Sequence, residues 1–378
     1  MERVSTPPRA DWREKVEGLG FDFHTIDAAP YWDERAYYRF TTEQIDAIDD
    51  AAVALHKMCL EAVDYAVKGN FLDRFGLPPG AAELAAESWR RRDPDVYGRF
   101  DLVYDGKGPP KLLEYNGDTP TALFEAAVVQ WHWLQDLHAE ADQFNSIHEG
   151  LVERWGELAQ QFPGFTSLHL ACAMPHAEDE GTVRYLQATA LEAGLSTKVL
   201  GMHDLGWNGQ DFVDVEGEPI RFLFKLYPWD WLMKEDFGAH IGPSGVGMIE
   251  PAWKMLVASK AILSLLSHKF PDSPYLLPAT FDPADIPKGA KAVKKPLLGR
   301  EGSNVEVIED GRVIIGNEGP YGEEGYVYQA FQALPDFQRN YPVIGAWMVG
   351  DKCRGMGIRE DDTPITRNTS RFVPHLFR

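Results

Sequence analysis

The 378-residue sequence lacks most of the patterns that mark large protein classes. It has three cysteines, Cys59, Cys172 and Cys353, too few and too scattered for a disulfide framework or a zinc site. No run approaches about 18 apolar residues, so neither a membrane-spanning helix nor a membrane partner is expected. The first residues, MERVSTPPRADWREKVEGLGF, carry no apolar segment of the secretory kind, and a reducing cytoplasm is the expected location. Positive charge is scarce: 37 Lys and Arg stand against 58 Asp and Glu, for a formal net charge of −21. That argues against a nucleic-acid partner, whose binding needs a basic surface. No phosphate loop of the G-x-x-x-x-G-K-[ST] type is present, because GPSGVGM lacks the lysine and DGKGPPK the second glycine. No G-x-G-x-x-G follows the first strand of the β-α-β segment, so a dinucleotide cofactor is not expected. His132, His138 and His148 do not share the four-residue spacing of helical metal ligands and read as ordinary helix residues.

What is present is a folded chain: 44% of residues are apolar and 12% aromatic, over a length that predicts two or three lobes. TTEQIDAIDDAAVALHKMCLEAVDYAVKGN reads as one long amphipathic helix, capped by Thr41 or Thr42 and ended by Gly69-Asn70. The stretch from Thr121 to Phe162 is helical in period, with one break near Asn145. From Thr166 a strand (SLHLACAMP), a helix (DEGTVRYLQATALEAGL) and a strand (STKVLGMHDLGW) make a β-α-β unit, suggesting a three-layer substrate domain. IRFLFKLYPWDWL adds a strand, and EPAWKMLVASKAILSLLSHKF a helix from Pro251 with Lys260 in its middle. Beyond it, AVKKPLLGREGSNVEVIEDGRVII predicts strand, glycine-bracketed loop and strand, and YVYQAF a further strand. A hairpin turning at Gly350-Asp351 and an irregular tail, TPITRNTSRFVPHLF, complete the chain.

Two segments carry chemistry. YGRFDLVYD and KLLEYN flank DGKGPP, a composition that closes a hairpin. If Tyr104 faces Lys111, Asp101 falls opposite Glu114 and Arg99 opposite Asn116, all on one face. Opposed carboxylates repel, and a divalent cation reverses that sign, since Asp, Glu and Asn oxygens suit magnesium. Arg99 beside them suits phosphate or carboxylate oxygens. The alternative is a solvent-facing hairpin with scattered charges. In KKPLLGREGSNV, a strand-end lysine can hold phosphate while the loop closes over it, Arg300 and Ser303 gaining partners only then. A plain hairpin loop is the alternative. The YVYQAF backbone could pair with an adenine edge.

Together, GRFD, LLEYNGDTPT, EPAWKMLVASKAIL, KKPLLGREGSNV, YVYQ and GIREDDTPITRNTSRFVPH resemble the glutathionylspermidine synthase family of ATP-grasp carbon–nitrogen ligases over nearly the whole chain. The resemblance implies an α/β fold of the circularly permuted glutathione synthetase-like branch. Its main lobe would span 1–165 and 326–378, with a β-α-β substrate domain at 166–250 and a second ATP-grasp lobe at 251–325. It implies a synthetase half without the amidase domain of the bifunctional members. It further implies that Asp101, Glu114 and Asn116 bind two magnesium ions on ATP. Arg99 would contact the transferring phosphoryl group and the activated carboxylate, with Arg359 as the second arginine. Lys260 and Lys295 would hold phosphates, Gln329 would sit at the adenine, Gly302 in the covering loop, and Ile365 and Thr366 by the nucleotide. Thr119, Asp179 and Glu180 would meet the peptide and the polyamine.

The implied reaction joins a small-molecule carboxylate, glutathione or another peptide, to a polyamine or other amine through an acyl phosphate. The acids of HAEDEG suit a cationic amine, and equally the cap of the helix that follows. Two other classes stay open at this point. One is an ATP-grasp shell that binds without catalysis. The other is a glycosidase using Asp101 and Glu114 as its acid pair, which would need no lysines.

Overall fold

The structure, a computed structural model, describes residues 1–26, 28–69, 71–367 and 369–378. Its central sheet has five antiparallel strands in the order Arg371–Val373, Lys352–Asp361, Tyr341–Val349, Tyr97–Val103 and Lys111–Asn116. Two distant parts of the chain therefore build one sheet. Tyr97–Val103 is buried at every position, as a strand covered on both faces must be. The helix Thr42–Gly69 packs on Tyr341–Val349, its Ile48, Ala52, Leu55, Cys59 and Ala62 recurring at the three-to-four spacing that faces a core. Thr41 caps it reciprocally: Gln44 N donates to Thr41 Oγ1 at 3.4 Å, and Thr41 N to Gln44 Oε1 at 3.1 Å. Asn70, half of its expected stop, lies outside the described residues.

The hairpin register matches expectation where it bears chemistry and departs from it at the turn. Arg99 pairs with Asn116 and Asp101 with Glu114, but a bulge follows, so that Leu102 faces Leu112 and Val103, not Tyr104, faces Lys111. The extra residue is Leu113. Asp105 shapes the turn by accepting from Lys107 N at 2.9 Å and Gly108 N at 3.3 Å.

A second five-stranded antiparallel sheet runs Ala279–Thr280, Tyr326–Ala330, Lys291–Pro296, Glu306–Glu309, Arg312–Gly316. Tyr326–Ala330, placed by the sequence at the start of the returning main lobe, pairs here with Lys291–Pro296. A parallel sheet, Gly247–Ile249, Phe222–Leu226, Ser167–Cys172, Ser196–Gly201, carries the β-α-β unit with its helix Ala177–Glu192.

Two expectations are corrected, and the expected break near Asn145 is found. The helix expected from Pro251 is two, Lys254–Ala258 and Ala261–Lys269, because Ser259 turns extended (ψ 130°), its hydroxyl donating to Phe75 O at 2.8 Å. The interruption after Thr121 spans 138–146, between Gln130–Leu137 and Ile147–Gln161. The tail ends in strands, Arg371–Val373 on the central sheet and His375–Phe377 beside Ala36–Phe40. No helix among the described residues is long and apolar enough to cross a membrane.

Candidate active site

The central hairpin, the second sheet and the end of the parallel sheet enclose a cavity of about 470 Å³. Of the residues singled out in the sequence, Arg99, Asp101, Glu114, Asn116, Thr119, Asp179, Lys260, Lys295, Gly302, Gln329, Arg359, Ile365 and Thr366 line it. Glu180 does not.

On the hairpin face Arg99 grips Asp101 with two bonds, Nε to Oδ1 at 2.6 Å and Nη2 to Oδ2 at 3.0 Å. Its Nη1 donates to Thr121 O at 2.5 Å. Asn116 Nδ2 donates to Asp101 Oδ2 at 3.1 Å and reaches Glu114 Oε1 at 3.5 Å. Lys260 Nζ lies 3.1 Å from Glu114 Oε2 and donates to Gly299 O at 2.7 Å. The break at Ser259 makes this possible, since Lys260 N is then held by Leu297 O at 2.8 Å instead of by a helical turn. The mutual repulsion expected of the two acids is thus overridden by cations. Burial would raise the Glu114 carboxyl, but Lys260, Lys295 and Arg99 together hold it at about 2.

Lys295 Nζ donates to Leu113 O and to Gln329 Oε1, both at 2.8 Å, and Gln329 Nε2 donates to Leu112 O at 2.9 Å. The hairpin bulge presents these two carbonyls to the second sheet. Burial brings the Lys295 ammonium down to about 8, against the pull of Glu114. The backbone of Tyr326–Ala330 pairs along its length with Lys291–Pro296 on one side, and at Tyr328 and Gln329 with Ala279–Thr280 on the other. Gln329 and Ala330 at its end, and Phe331, Gln332 and Leu334 after it, line the cavity.

Gly302 seats its loop against the C-terminal loop: at φ +68°, a Cβ there would lie 2.3 Å from Thr366 O and 3.3 Å from Ile365 Cγ2. Arg359, on Lys352–Asp361, donates from Nη2 to Arg367 O at 2.6 Å. Arg300, expected to gain a partner only with phosphate, is paired here with Asp230.

His176 is the N-cap of Ala177–Glu192, its ring accepting from Asp179 N at 3.4 Å. Glu180 Oε1 accepts from His176 N at 3.3 Å, and its carboxylate lies 3.9 Å from Arg184. The helix-cap alternative describes Glu180; Asp179 lines the cavity with its neighbour Glu178, and its carboxylate also lies 3.4 Å from the Nδ1 of the cap residue His176. Burial raises both carboxyls, Asp179 to about 6. Sequence reasoning missed Glu178, Asp118 and Asp230 as cavity residues. The quoted NGDTPT and PWDW contain the last two, with nothing local to separate them from ordinary turn acids.

Among the described residues no group of three or more His, Cys, Asp or Glu side chains could hold a metal ion by itself. The donor chemistry of Asp101, Glu114 and Asn116 nevertheless fits magnesium, which takes one or two carboxylates and completes its shell with phosphate and water. The loop seat at Gly302 and the two lysines fit a nucleotide polyphosphate.

The fold is that of the glutathione synthetase-like ATP-grasp proteins. A glutathione synthetase-like effector from Globodera pallida superposes with a TM-score of 0.59 at 10% identity, covering 97% of this chain and 95% of that one. Residues 3–378 match the family model described as glutathionylspermidine synthase preATP-grasp. A Haemophilus influenzae protein with the provisional name acid–amine ligase is 44% identical over the whole of both chains. Trypanothione synthetase of Crithidia fasciculata is 27% identical over 84% of this chain and 53% of its own length. The bifunctional glutathionylspermidine synthetase/amidase of Escherichia coli is 26% identical over 89% of this chain and 58% of its own. The chain spans little more than half the length of these last two. It belongs to the glutathionylspermidine synthase family, and is an enzyme of the ligase class.

Proposed function

We propose that this chain is an ATP-dependent acid–amine ligase working through an acyl phosphate, with a peptide carboxylate such as glutathione and a polyamine or other amine as substrates. The observation that carries the reading is one cavity in which Arg99, Arg359, Lys260 and Lys295 surround Asp101, Glu114 and Asn116 beneath a glycine-bearing loop. A binding shell or a glycosidase pair has no need of that many cations around two acids.

In this reading Lys260 and Lys295 hold the ATP phosphates, Gly302 lets the loop lie close over them, and Ile365 and Thr366 border the nucleotide. Gln329 orients Lys295, and the segment after it flanks the adenine. Asp101, Glu114 and Asn116 would hold two magnesium ions, which supply charge neutralisation of the phosphates. A substrate carboxylate oxygen attacks the γ-phosphorus as the bond to the β-bridging oxygen breaks and ADP leaves, while Arg99 and Arg359 neutralise the transferring group. The amine nitrogen then attacks the acyl carbon, phosphate departs with the carbon–oxygen bond, and the amine proton passes to solvent. The covering loop excludes water from the acyl phosphate until then. Thr119 and Asp179 border the acid and amine. The main lobe would comprise 1–165 and the C-terminal strands, with 166–250 as the substrate domain.

The test is ADP release over a panel of carboxylates with and without amines. The reading expects turnover that needs one carboxylate and yields an amide only when an amine is supplied. ADP release indifferent to every carboxylate would overturn it.

A further inference from the structure

The loop from Leu298 to Asn304 is held at two points on different elements. One is the seat of Gly302 on Thr366. The other is Arg300, whose guanidinium reaches the Asp230 carboxylate with both terminal nitrogens, donates from Nη1 to Leu298 O at 3.2 Å, and lies 5.5 Å above the Trp231 ring. Asp230 is 8% exposed and stands on a stiff support. The preceding residue's backbone, Trp229 N, donates to Asp118 Oδ2 at 2.8 Å, and Lys225, wholly buried, donates to Asp118 Oδ1 at 2.7 Å. Trp229 Nε1 is bound by Glu250 O at 3.1 Å. Asp118 in turn follows Asn116 by two residues. The substrate-side wall is thereby tied to the hairpin on one side and to the loop on the other.

We propose that Asp230 is a positioning residue: by gripping Arg300 it holds the covering loop over the nucleotide side of the cavity, so that nucleotide binding depends on the substrate-side wall. This rests on the ligase reading above, in which that loop covers ATP. A planar guanidinium held by a carboxylate and set over a ring is fixed in orientation as well as in place, which a lysine there would not be. Without the grip, ATP must order the loop at its own cost, and binding weakens while the chemical step, once the loop is closed, changes less.

The experiment pairs hydrogen exchange with steady-state kinetics on Asp230→Asn. Exchange in 298–304 of the nucleotide-free protein should rise severalfold, with the central sheet unchanged, and the KM for ATP should rise on the order of tenfold, about 1.4 kcal/mol, against a smaller change in kcat. Reversing the pair, Asp230→Arg with Arg300→Asp, should recover loop protection. Should Asp230→Asn loosen the whole chain, Arg300→Lys carries the test, with the same loop-limited rise expected. Unchanged loop exchange in both variants would overturn the proposal. So would a lower KM for ATP in Asp230→Asn, which would mean that Asp230 keeps Arg300 away from the nucleotide. If the parent turns over no ATP with any acid, the ligase reading fails, while the exchange comparison still decides whether Asp230 holds the loop.

Discussion

Replacing Glu114 with Gln should destabilise the protein at neutral pH even before nucleotide is considered. The substitution keeps shape and removes one charge from beside Lys260, 3.1 Å away, with Lys295 and Arg99 also acting on it. The carboxyl is held at about 2 against an ordinary 4.5. A depressed carboxyl contributes stability that is present above the unfolded value and is lost as pH falls through the folded one. At about 1.4 kcal/mol per unit the upper bound is about 3.5 kcal/mol. The side chain is 29% exposed, and water screening brings the expected loss to about 1–2 kcal/mol. In a chain this long that is roughly 1–3 °C of melting temperature. Thermal unfolding with a chelator present, at neutral pH and again at acid pH below the carboxylate range, should show a gap that closes in acid. A Gln variant as stable as the parent at neutral pH would mean that repulsion from Asp101 outweighs the surrounding cations, contrary to the account.

Gly302→Ala should raise the KM for ATP at least severalfold with little loss of fold, because the new methyl must displace Thr366 O and sits in a left-handed conformation costing about 1–2 kcal/mol; unchanged ATP saturation kinetics would remove the loop seat. Asp179→Asn should raise the KM of a cationic amine many-fold while Glu180→Gln leaves it near the parent's, and equal effects of the two would contradict the division between cavity and cap. Glu125→Gln should stabilise the protein above neutral pH. Burial raises that carboxyl to about 7, so the parent loses stability as pH climbs from the ordinary 4.5 through 7, while a Gln keeps the bond from Tyr31 Oη, 2.6 Å long. Melting temperatures of parent and variant should converge in acid, and a gap independent of pH would refute the assignment.

The alternation of a strand and a turn of Gly and Pro were enough to place Arg99, Asp101, Glu114 and Asn116 together. They could not show the bulge at Leu113, an apolar residue like its neighbours. Its partners are remote: Lys295 and Gln329 on the second sheet, and Tyr275 O, which receives Leu112 N at 2.8 Å. The same limit hid the break before Lys260. Apolar periodicity runs unbroken through Ser259, and the bonds that mark the break, Ser259 Oγ to Phe75 O and Lys260 N to Leu297 O, go to distant parts of the chain. Asp179 and Glu180 are consecutive in sequence, yet a helix turns each residue about 100° from the last, so Asp179 lines the cavity and Glu180 does not. Arg300 and Asp230 lie 70 residues apart, and no local pattern joins them. The tail strand His375–Phe377 is three residues long and pairs with Ala36–Phe40, too short and too distant a match for periodicity to register.

The central claim is transfer of a phosphoryl group to a substrate carboxylate, and oxygen-18 tests it most directly. With both carboxylate oxygens of the accepted acid labelled and amine supplied, the account predicts one labelled oxygen in each phosphate released, carried over when the acyl carbon–oxygen bond breaks. Amide formed with unlabelled phosphate would contradict it.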